Sequence, residues 1–371
     1  MTRGVALLGL GYVLSQFFRA FLAVLSPSLR VDLGATPEDL AFASGLWFFS
    51  FAAMQLPVGW ALDTVGPRRT AASLLLVGGG GGAALFAVAT QPLHINLAMV
   101  LIGIGCAPVL MGAYYIFARE FAPSRFVVLA SIMVGIGTLG NLVASYPMAI
   151  AAETIGWRAS LWGLCAITTL TAIGIWSVVR DPATPEGEQR GSLLGVFKIK
   201  ALWFIFPIMS VSYAQVGALR GLWIGPYFED VFAANAHQIG WATLLMGIAM
   251  VAGSLAYGPL DRVIGSTKWV IVGGTALNLA ALVALMLFPD SGIILATALM
   301  AAVGFFGATY AVIIAHGRSF MPPQLVGRGM TLLNLCSIGG VGVAQFLSGR
   351  VYATSQPAVT AQAPYVMIFT L

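Results

Sequence analysis

Charged residues are scarce in this sequence. Only 8% of its 371 residues are Asp, Glu, Lys or Arg, whereas soluble globular domains carry about 25%. The mean hydropathy is +0.92, so the composition excludes an ordinary soluble domain and predicts a protein whose helices cross a bilayer. The net charge of +5 does not indicate nucleic-acid binding, because the cations are confined to particular loops.

Cysteine is also scarce, and the residues that catalysis requires are not grouped. The three cysteines, Cys106, Cys165 and Cys336, lie inside apolar runs without metal-ligand or disulfide spacing, which is typical of small buried hydrophobic residues. No set of nucleophile, base and orienting group is found, and no metal cluster. We therefore expect neither an enzyme nor a bound cofactor or metal.

Two glycine-rich runs resemble nucleotide-binding loops only superficially. Residues 135–140 satisfy the spacing GxGxxG, and residues 78–82 are five consecutive glycines. Both runs lie inside long apolar segments, without the preceding strand or the Lys-Ser/Thr pair that phosphate binding requires. They predict close helix packing or a hinge.

Eleven apolar segments have the roughly 20 residues that a membrane-spanning helix needs. We number them span 1 to span 11, and they cover residues 4–28, 40–62, 70–90, 95–118, 126–151, 158–179, 201–226, 238–260, 268–289, 291–317 and 328–349. A twelfth begins near Ala363 and offers about nine residues, ending at Leu371, which is about 14 Å of helix against a hydrocarbon core of about 30 Å. The sequence therefore predicts a fragment that lacks its end.

The positive charges predict the orientation. Most of the 18 Lys and Arg residues fall at the N-terminus or in every second loop, whereas three fall on the other side, namely Arg30, Arg158 and Arg350. By the positive-inside rule, the N-terminus and the loop near 180–200 are cytoplasmic. We expect a multi-pass protein of the cell inner (plasma) membrane.

An internal repeat divides the chain. Arg19 and Arg220 each follow a tyrosine by seven positions and are 201 positions apart. The segment LDTVGPRR around Asp63 returns 198 positions later around Asp261, and Arg119-Glu-Phe-Ala-Pro returns 199 positions later as Arg318-Ser-Phe-Met-Pro. The repeat predicts two six-helix halves, residues 1–179 and 201–371, joined by a cytoplasmic linker at residues 180–200, as in secondary transporters.

The polar segment 59–70, GWALDTVGPRRT, resembles the signature loop between helices 2 and 3 of the major facilitator superfamily. A weaker copy lies at residues 258–268, and residues 156–158 (Gly-Trp-Arg) resemble the usual start of helix 6 in that family. The resemblance covers the whole chain. It implies a twelve-helix transporter that alternates between two open states.

The charged residues of this loop can form a contact between helix ends. An Asp at the cytoplasmic end of helix 2 can accept hydrogen bonds from the first amides of a neighbouring helix and pair with nearby guanidinium groups, in a contact that breaks when the halves move. We assign such a conformational latch to Gly59, Asp63, Gly66, Arg68, Arg69, Asp261, Arg262, Arg119 and Arg318. The alternative is that these charges only set the topology.

Arg19 and Arg220 lie within predicted spans, at corresponding places in the repeat. An Arg at the bilayer centre costs about 2.5 to 3.5 kcal/mol even on lenient scales, and all 13 Asp and Glu residues fall in or near loops. We infer that the missing anion is the substrate, which two guanidinium forks facing each other could bind. Alternatively, both side chains extend to the outer membrane interface.

Several polar neighbours could complete this site. Tyr12 and Tyr213 lie seven residues, about two helical turns, before Arg19 and Arg220, so each shares a face with its Arg and could donate a phenolic hydrogen bond. Because spans 1, 2, 4, 7 and 10 face the cavity in the resembling family, Gln55, Tyr114 and Tyr310 are the next candidates. Other polar residues in the spans are expected to bond between helices.

Within the family, span 1 (Tyr12, Arg19 and Pro27) and Pro67-Arg68 of the loop resemble the branch that exchanges organophosphates for phosphate, in which paired Args bind the anion. The proton-coupled organic-anion branch usually has an acid before this Arg, where Phe18 stands here. Drug/proton exporters have a Gly-Pro signature in helix 5 that this sequence lacks. Anion exchange or facilitated transport is therefore expected, without proton coupling through a membrane carboxylate.

The sequence thus predicts an all-α polytopic membrane protein that moves a small organic anion, a carboxylate or phosphate ester. Two alternatives stay open, namely efflux of drugs or other solutes and a non-transporting assembly role on the same scaffold. The expected partners are the substrate and the lipid bilayer, with no nucleic acid, and the chain is expected to act as a monomer.

Overall fold

The computed structural model describes residues 2–121, 123–182, 193–322, 325–356 and 360–371. In these ranges the chain is helical apart from turns and short connections, and no β-strand is formed. Nine of the described helices are long and apolar enough to cross a membrane. The number of described spans is eleven if each of two bent helix pairs is counted as one further span. The predicted all-α polytopic fold is confirmed.

The chain folds as two compact units, Met1–Gly187 (unit 1) and Glu188–Leu371 (unit 2). Their boundary falls inside the segment 180–200, and residues 183–192 of that predicted linker lie outside the described ranges. The assignment of residues 1–179 and 201–371 to two functional halves stays a prediction.

The helices of unit 1 follow the predicted spans closely. Span 1 consists of Thr2–Phe17 and Phe21–Leu33, and span 5 of Pro123–Val143 and Tyr146–Thr154. Spans 2, 3, 4 and 6 are Pro37–Thr64, Pro67–Ala87, Pro92–Glu120 and Trp157–Val178.

Unit 2 has the same order of elements after the short helix Leu193–Phe197. Spans 7 to 11 are Leu202–Phe232, Ala236–Ile264, Thr267–Leu287, Ile293–Arg318 and Val326–Thr354. A last helix, Ala363–Phe369, follows.

Glycines let the helices of unit 1 touch backbone to backbone. A Cβ on Gly105 of span 4 would overlap the backbone nitrogen of Gly79 in span 3. Likewise, a Cβ on Gly140 of span 5 would overlap the carbonyl oxygen of Val13 in span 1, and one on Gly103 would overlap Ser50 of span 2. The glycine-rich runs are therefore packing surfaces, as the sequence indicated.

Unit 2 repeats this packing. A Cβ on Gly304 of span 10 would lie 2.7 Å from the carbonyl oxygen of Met246 in span 8, as Gly103 of span 4 meets span 2. A Cβ on Gly340 of span 11 would overlap the carbonyl oxygen of Ser210 in span 7, as Gly140 meets span 1. The repeat in the sequence is thus matched by a repeat of close helix contacts in the two units.

Several spans are interrupted, and proline explains two of the interruptions. Span 2 breaks at Met54, three residues before Pro57, and span 5 breaks before Pro147 with a bend of 40°. Proline lacks the amide proton of the helical hydrogen bond, and its ring crowds the carbonyl four residues earlier. Other interruptions, in spans 1, 7 and 10, have no proline in this position.

The backbone contact between spans 3 and 4 predicts that an alanine substitution destabilises the protein at one glycine and not at another. Gly105→Ala should destabilise the protein by on the order of 1–3 kcal/mol, because the added methyl group overpacks the contact with Gly79. Thermal unfolding of the purified protein in detergent measures this loss. The matched control is Gly81→Ala in span 3, where a Cβ meets nothing within 4 Å, and it should leave the melting temperature unchanged or raised. Equal melting temperatures for the two variants would contradict the packing.

Candidate functional site

Arg19 lies at the interruption of span 1. Residues 18–20 form a turn between two helices that are bent by 49°. Its guanidinium carbon stands 4.9 Å from the ring centre of Phe51 and 5.3 Å from that of Trp47, both in span 2. These two rings are stacked with centroids 5.1 Å apart, so Arg19 rests on an aromatic surface that stabilises its charge.

Unpartnered polar atoms surround this aromatic surface. Nε of Arg19 and Nε1 of Trp47 are buried donors without a hydrogen-bond partner among the residues described. Gln55 donates from Nε2 to the carbonyl oxygen of Phe51 at 3.2 Å, while its Oε1 is a buried acceptor without a described partner. Buried polar atoms are nearly always hydrogen-bonded in proteins, so two donors and one acceptor remain to be satisfied here.

Tyr12 is engaged elsewhere in unit 1. Gln16 donates a hydrogen bond from Nε2 to the Tyr12 hydroxyl at 2.8 Å, and the Tyr12 ring fills the space that a side chain at Gly137 of span 5 would need. The turn at residues 18–20 interrupts the helix, so Tyr12 and Arg19 do not lie on one uninterrupted helix as the sequence spacing assumed. Tyr12 packs in the core of unit 1.

Unit 2 places Arg220 in an altered helical turn. Span 7 is interrupted at Tyr213 and forms a π-helical turn over Leu219–Trp223. Arg220 lies in this turn with only 4% of its surface exposed. This burial does not fit a side chain that extends to the membrane interface.

Two predicted tyrosines meet beside Arg220. Tyr213 is close enough to Arg220 for an electrostatic interaction, and its ring lies 5.5 Å from that of Tyr310 in span 10. Span 10 narrows to a 3-10 turn at Gly307–Thr309, directly before Tyr310. In span 11, buried Gln345 donates from Nε2 to the carbonyl oxygen of Ala218 at 3.2 Å, next to the π-helical turn.

Helix interruptions and predicted substrate residues coincide. Arg19, Gln55, Tyr213 and Tyr310 each lie at or directly beside the interruption of their span, and Arg220 lies in the π-helical turn. Interrupted helices free backbone groups and are common at binding sites in transporters. Tyr114 differs, because it is half-buried in an uninterrupted part of span 4 and packs against the core of unit 1.

Where the latch of unit 1 is predicted, the structure places a different carboxylate from the one expected. Asp181 accepts a hydrogen bond from the backbone N–H of Arg68 at 2.8 Å, and its other oxygen lies 3.4 Å from Arg68 Nε. Asp181 thereby caps the start of span 3 from the end of span 6. Gly66 makes room for it, since its φ is +97° and a Cβ there would lie 2.7 Å from the Asp181 carboxylate.

Asp63 was expected in this capping role. Within the described ranges it forms neither an ion pair nor a hydrogen bond, although it lines a small cavity of about 110 Å³ beside Gly66 and Asp181. A Cβ on Gly59 would meet nothing within 4 Å, so packing in this conformation does not require glycine there.

The other latch residues are spread over both units. Arg69 is exposed at the start of span 3, and Arg119 stacks on Tyr115 at 4.5 Å in the last turn of span 4. Arg318 is exposed in the last turn of span 10. The backbones of Asp261 and Arg262 lie in span 8, and their side chains are outside the described part of the structure.

Residues 156–158 connect the ends of three helices on the side of unit 1 opposite the Arg68–Asp181 contact. Gly156 has a φ of +84°, and span 6 begins at Trp157. Trp157 donates from Nε1 to Asp32 at 2.7 Å, and Arg158 donates from Nη1 to the carbonyl oxygens of Ala87 and Ala89 at 3.0 and 2.7 Å. These bonds tie the start of span 6 to the ends of spans 1 and 3.

Sequence reasoning missed three contributors. Trp47 and Phe51 precede Gln55 at intervals of four residues, so helical spacing was a usable signal for a shared face. Asp181 is 113 positions from Arg68, and no local pattern links them.

The comparisons with known proteins agree with this architecture. The sequence profile of the Major Facilitator Superfamily matches residues 8–226. The uncharacterized transporter YybO of Bacillus subtilis (strain 168) is 25% identical over 190 residues, which are 51% of this chain and 43% of that relative. This chain therefore aligns with less than half of that relative's length.

Solved structures share the fold over nearly the whole chain. A bacterial homolog to the human lysosomal transporter Spinster, in an inward-facing and unoccupied conformation, has a TM-score of 0.80 and 17% identity, over 95% of this chain and 82% of its own. The nucleoside transporter NupG has a TM-score of 0.74 and 15% identity, over 100% of this chain and 96% of its own. At these identities the likeness concerns the fold, and the profile match over more than half of the sequence shows that the chain belongs to the major facilitator superfamily of membrane transporters.

Proposed function

We propose that the protein moves a small organic anion across the membrane by alternating access, and that Arg19 and Arg220 bind the anion. Its family consists of transporters, so the protein is a transporter and not an enzyme. The anionic substrate, the exchange or facilitated mode and the roles of individual residues are the proposal.

The environment of Arg19 carries this proposal. Its guanidinium group lies on two stacked aromatic rings in an apolar span, and its Nε–H, which has no partner among the described residues, requires an acceptor. An aromatic surface lowers the cost of burying the cation without neutralising it. A carboxylate or phosphate group of the substrate would supply both the charge and the acceptor.

Unit 2 supports the same role for Arg220. A π-helical turn costs regular hydrogen bonds and is frequently found at functional sites, and here it contains a buried cation. The Tyr213–Tyr310 pair beside it offers two phenol groups in reach of the same region. The sequence repeat places an arginine at corresponding positions of the two halves, as the proposal requires.

Gln55 restricts the chemical class of the proposed substrate further. Its Oε1 has no partner within the described ranges; this oxygen accepts hydrogen bonds and cannot bind a fully ionised anionic group. An anion that also carries a donor, such as a hydroxyl group, satisfies both Arg19 and Gln55. Hydroxy acids, sugar acids and sugar phosphates have this combination.

Alternating access requires contacts that can break at the inner end, the side that the positive charges assign to the cytoplasm. The Arg68–Asp181 contact is suited to this, because its two side chains are about one-third exposed, at 33% and 30%, and water can replace their bonds at low cost. We propose that Asp181 holds the loop between spans 2 and 3 in one state, and that Asp63 acts in the other.

Efflux of apolar drugs is the main rival function. The aromatic content of 11% could supply an apolar cavity, but such cargo needs no intramembrane cation. Arg19 and Arg220 therefore separate the two hypotheses, and an assembly role without transport predicts no ligand at all.

Ligand-induced thermal stabilisation tests the substrate class. Inorganic phosphate, a sugar phosphate, a dicarboxylate and a sugar acid should include at least one compound that raises the melting temperature of the purified protein. A cationic dye and a neutral nucleoside should not. For the stabilising anion, Arg19→Lys and Arg220→Lys should each lower transport into proteoliposomes by about 10-fold or more, because lysine keeps the charge and loses the paired donors of the planar fork.

Arg350→Lys is the matched control, since Arg350 is an exposed arginine of span 11, and it should transport normally. Stabilisation by the dye alone would favour drug efflux. Normal transport by either Arg19→Lys or Arg220→Lys would contradict the anion site.

The contact at the inner end predicts unequal effects of two carboxylates. Asp181→Ala should lower the free energy of unfolding by about 1 kcal/mol, the usual loss when a helix cap is removed. Asp63→Ala should change it by less than about 0.5 kcal/mol in this conformation. Thermal unfolding of both variants in detergent gives the comparison, and a larger loss for Asp63→Ala than for Asp181→Ala would overturn the assignment of the cap.

A further inference from the structure

A groove runs between spans 3 and 6 of unit 1. It has a volume of about 300 Å³, and its floor is formed by the small residues Ala72 and Ala172. Its walls are exposed apolar side chains, namely Leu76, Val77, Ile173 and Trp176. Neither span belongs to the set that the family resemblance assigns to the substrate cavity, so this groove is separate from Arg19 and its surroundings.

The groove becomes polar and positively charged toward its inner end. Ser73 and Ser177 line it there. Arg69 lies one helical turn before Ser73 along span 3, and Arg180 follows Ser177 by three residues, just beyond the end of span 6. Both arginines are exposed. Within the described residues, Asp181 pairs with Arg68, and neither Arg69 nor Arg180 forms an ion pair.

Trp176 stands where the apolar and charged parts meet. Half of its surface is exposed, at 50%, and its indole N–H donates to none of the residues described. Tryptophan is enriched at membrane interfaces because its ring is apolar while its N–H bonds to polar groups of the lipid. Trp176 therefore marks the depth at which the head groups begin.

We propose that this groove is a binding site for one anionic phospholipid. An acyl chain fills the apolar part, since hydrocarbon and not water surrounds a membrane-spanning helix. The phosphate group lies between Arg69 and Arg180, as basic pockets between helices on the cytoplasmic side bind anionic head groups. A water-soluble anion would match the charges but would leave the apolar groove uncovered.

The site does not depend on the proposed substrate, because it shares no residue with the substrate site. Arg69 was assigned to the latch from the sequence, and lipid binding would give it a second role next to the Arg68–Asp181 contact. Occupancy would then hold the inner ends of spans 3 and 6 together.

Native mass spectrometry of the full chain in detergent tests the proposal with dioleoyl phosphatidylglycerol and dioleoyl phosphatidylcholine. The wild type should retain one phosphatidylglycerol in preference to phosphatidylcholine. Arg69→Gln combined with Arg180→Gln should weaken phosphatidylglycerol binding roughly 30-fold and leave phosphatidylcholine binding unchanged. Excess glycerol 3-phosphate should not displace the lipid.

Lys198→Gln with Lys200→Gln is the matched control, because it removes two exposed cations on the same predicted side in unit 2, and it should keep the preference. Ser73→Trp fills the groove without changing the charge, and should weaken both lipids, which keeps the test decisive if the double arginine variant does not fold. Equal losses in the two charge variants, no lipid preference in the wild type, or full binding to Ser73→Trp would each overturn the proposal.

Discussion

A positive charge inside an apolar span has to be compensated, and this constraint shapes the site in unit 1. Arg19 would be costly in a regular helix that faces hydrocarbon. The structure instead interrupts span 1 at residues 18–20 and places the guanidinium group on the stacked rings of Trp47 and Phe51. The rings offset part of the cost without satisfying Nε. What remains is a charge that the packing tolerates and an Nε–H that has no hydrogen-bond acceptor among the described residues.

The glycine contacts and the helix interruptions have different structural roles within each unit. Where Gly105 meets Gly79, and where Gly340 meets Ser210, two backbones touch and the helices are locked side by side. The interruptions at Arg19, Met54 and Tyr213 fall on the spans that carry polar residues. A unit built in this way can move as one body during alternating access. The local geometry at the interrupted turns is held by the packing around them.

The physical strength of each sequence signal explains what could be predicted. Hydropathy fixed the spans to within a few residues, because burial in lipid requires long uninterrupted apolar runs, and glycine runs inside them indicated close packing. Pro57 and Pro147 marked two interruptions. The turn at Arg19, the π-helical turn at Arg220 and the 3-10 turn before Tyr310 have no such local marker, so a continuous helix was assumed and the role of Tyr12 followed from it. Asp181, and not the expected Asp63, caps the start of span 3. This cap joins two residues, Arg68 and Asp181, that are 113 positions apart in the sequence, so only the fold brings them together.

The central claim is that Arg19 and Arg220 bind one and the same anion. A double-mutant cycle on the dissociation constant of the stabilising anion tests it most directly, with Arg19→Lys, Arg220→Lys and the double variant measured by calorimetry. If both forks hold one anion, the two losses are strongly coupled, and the double variant binds little worse than either single variant. An unchanged dissociation constant in either single variant would show that this arginine does not contact the anion, and losses that simply add would show no coupling through one bound group; either result would contradict the claim.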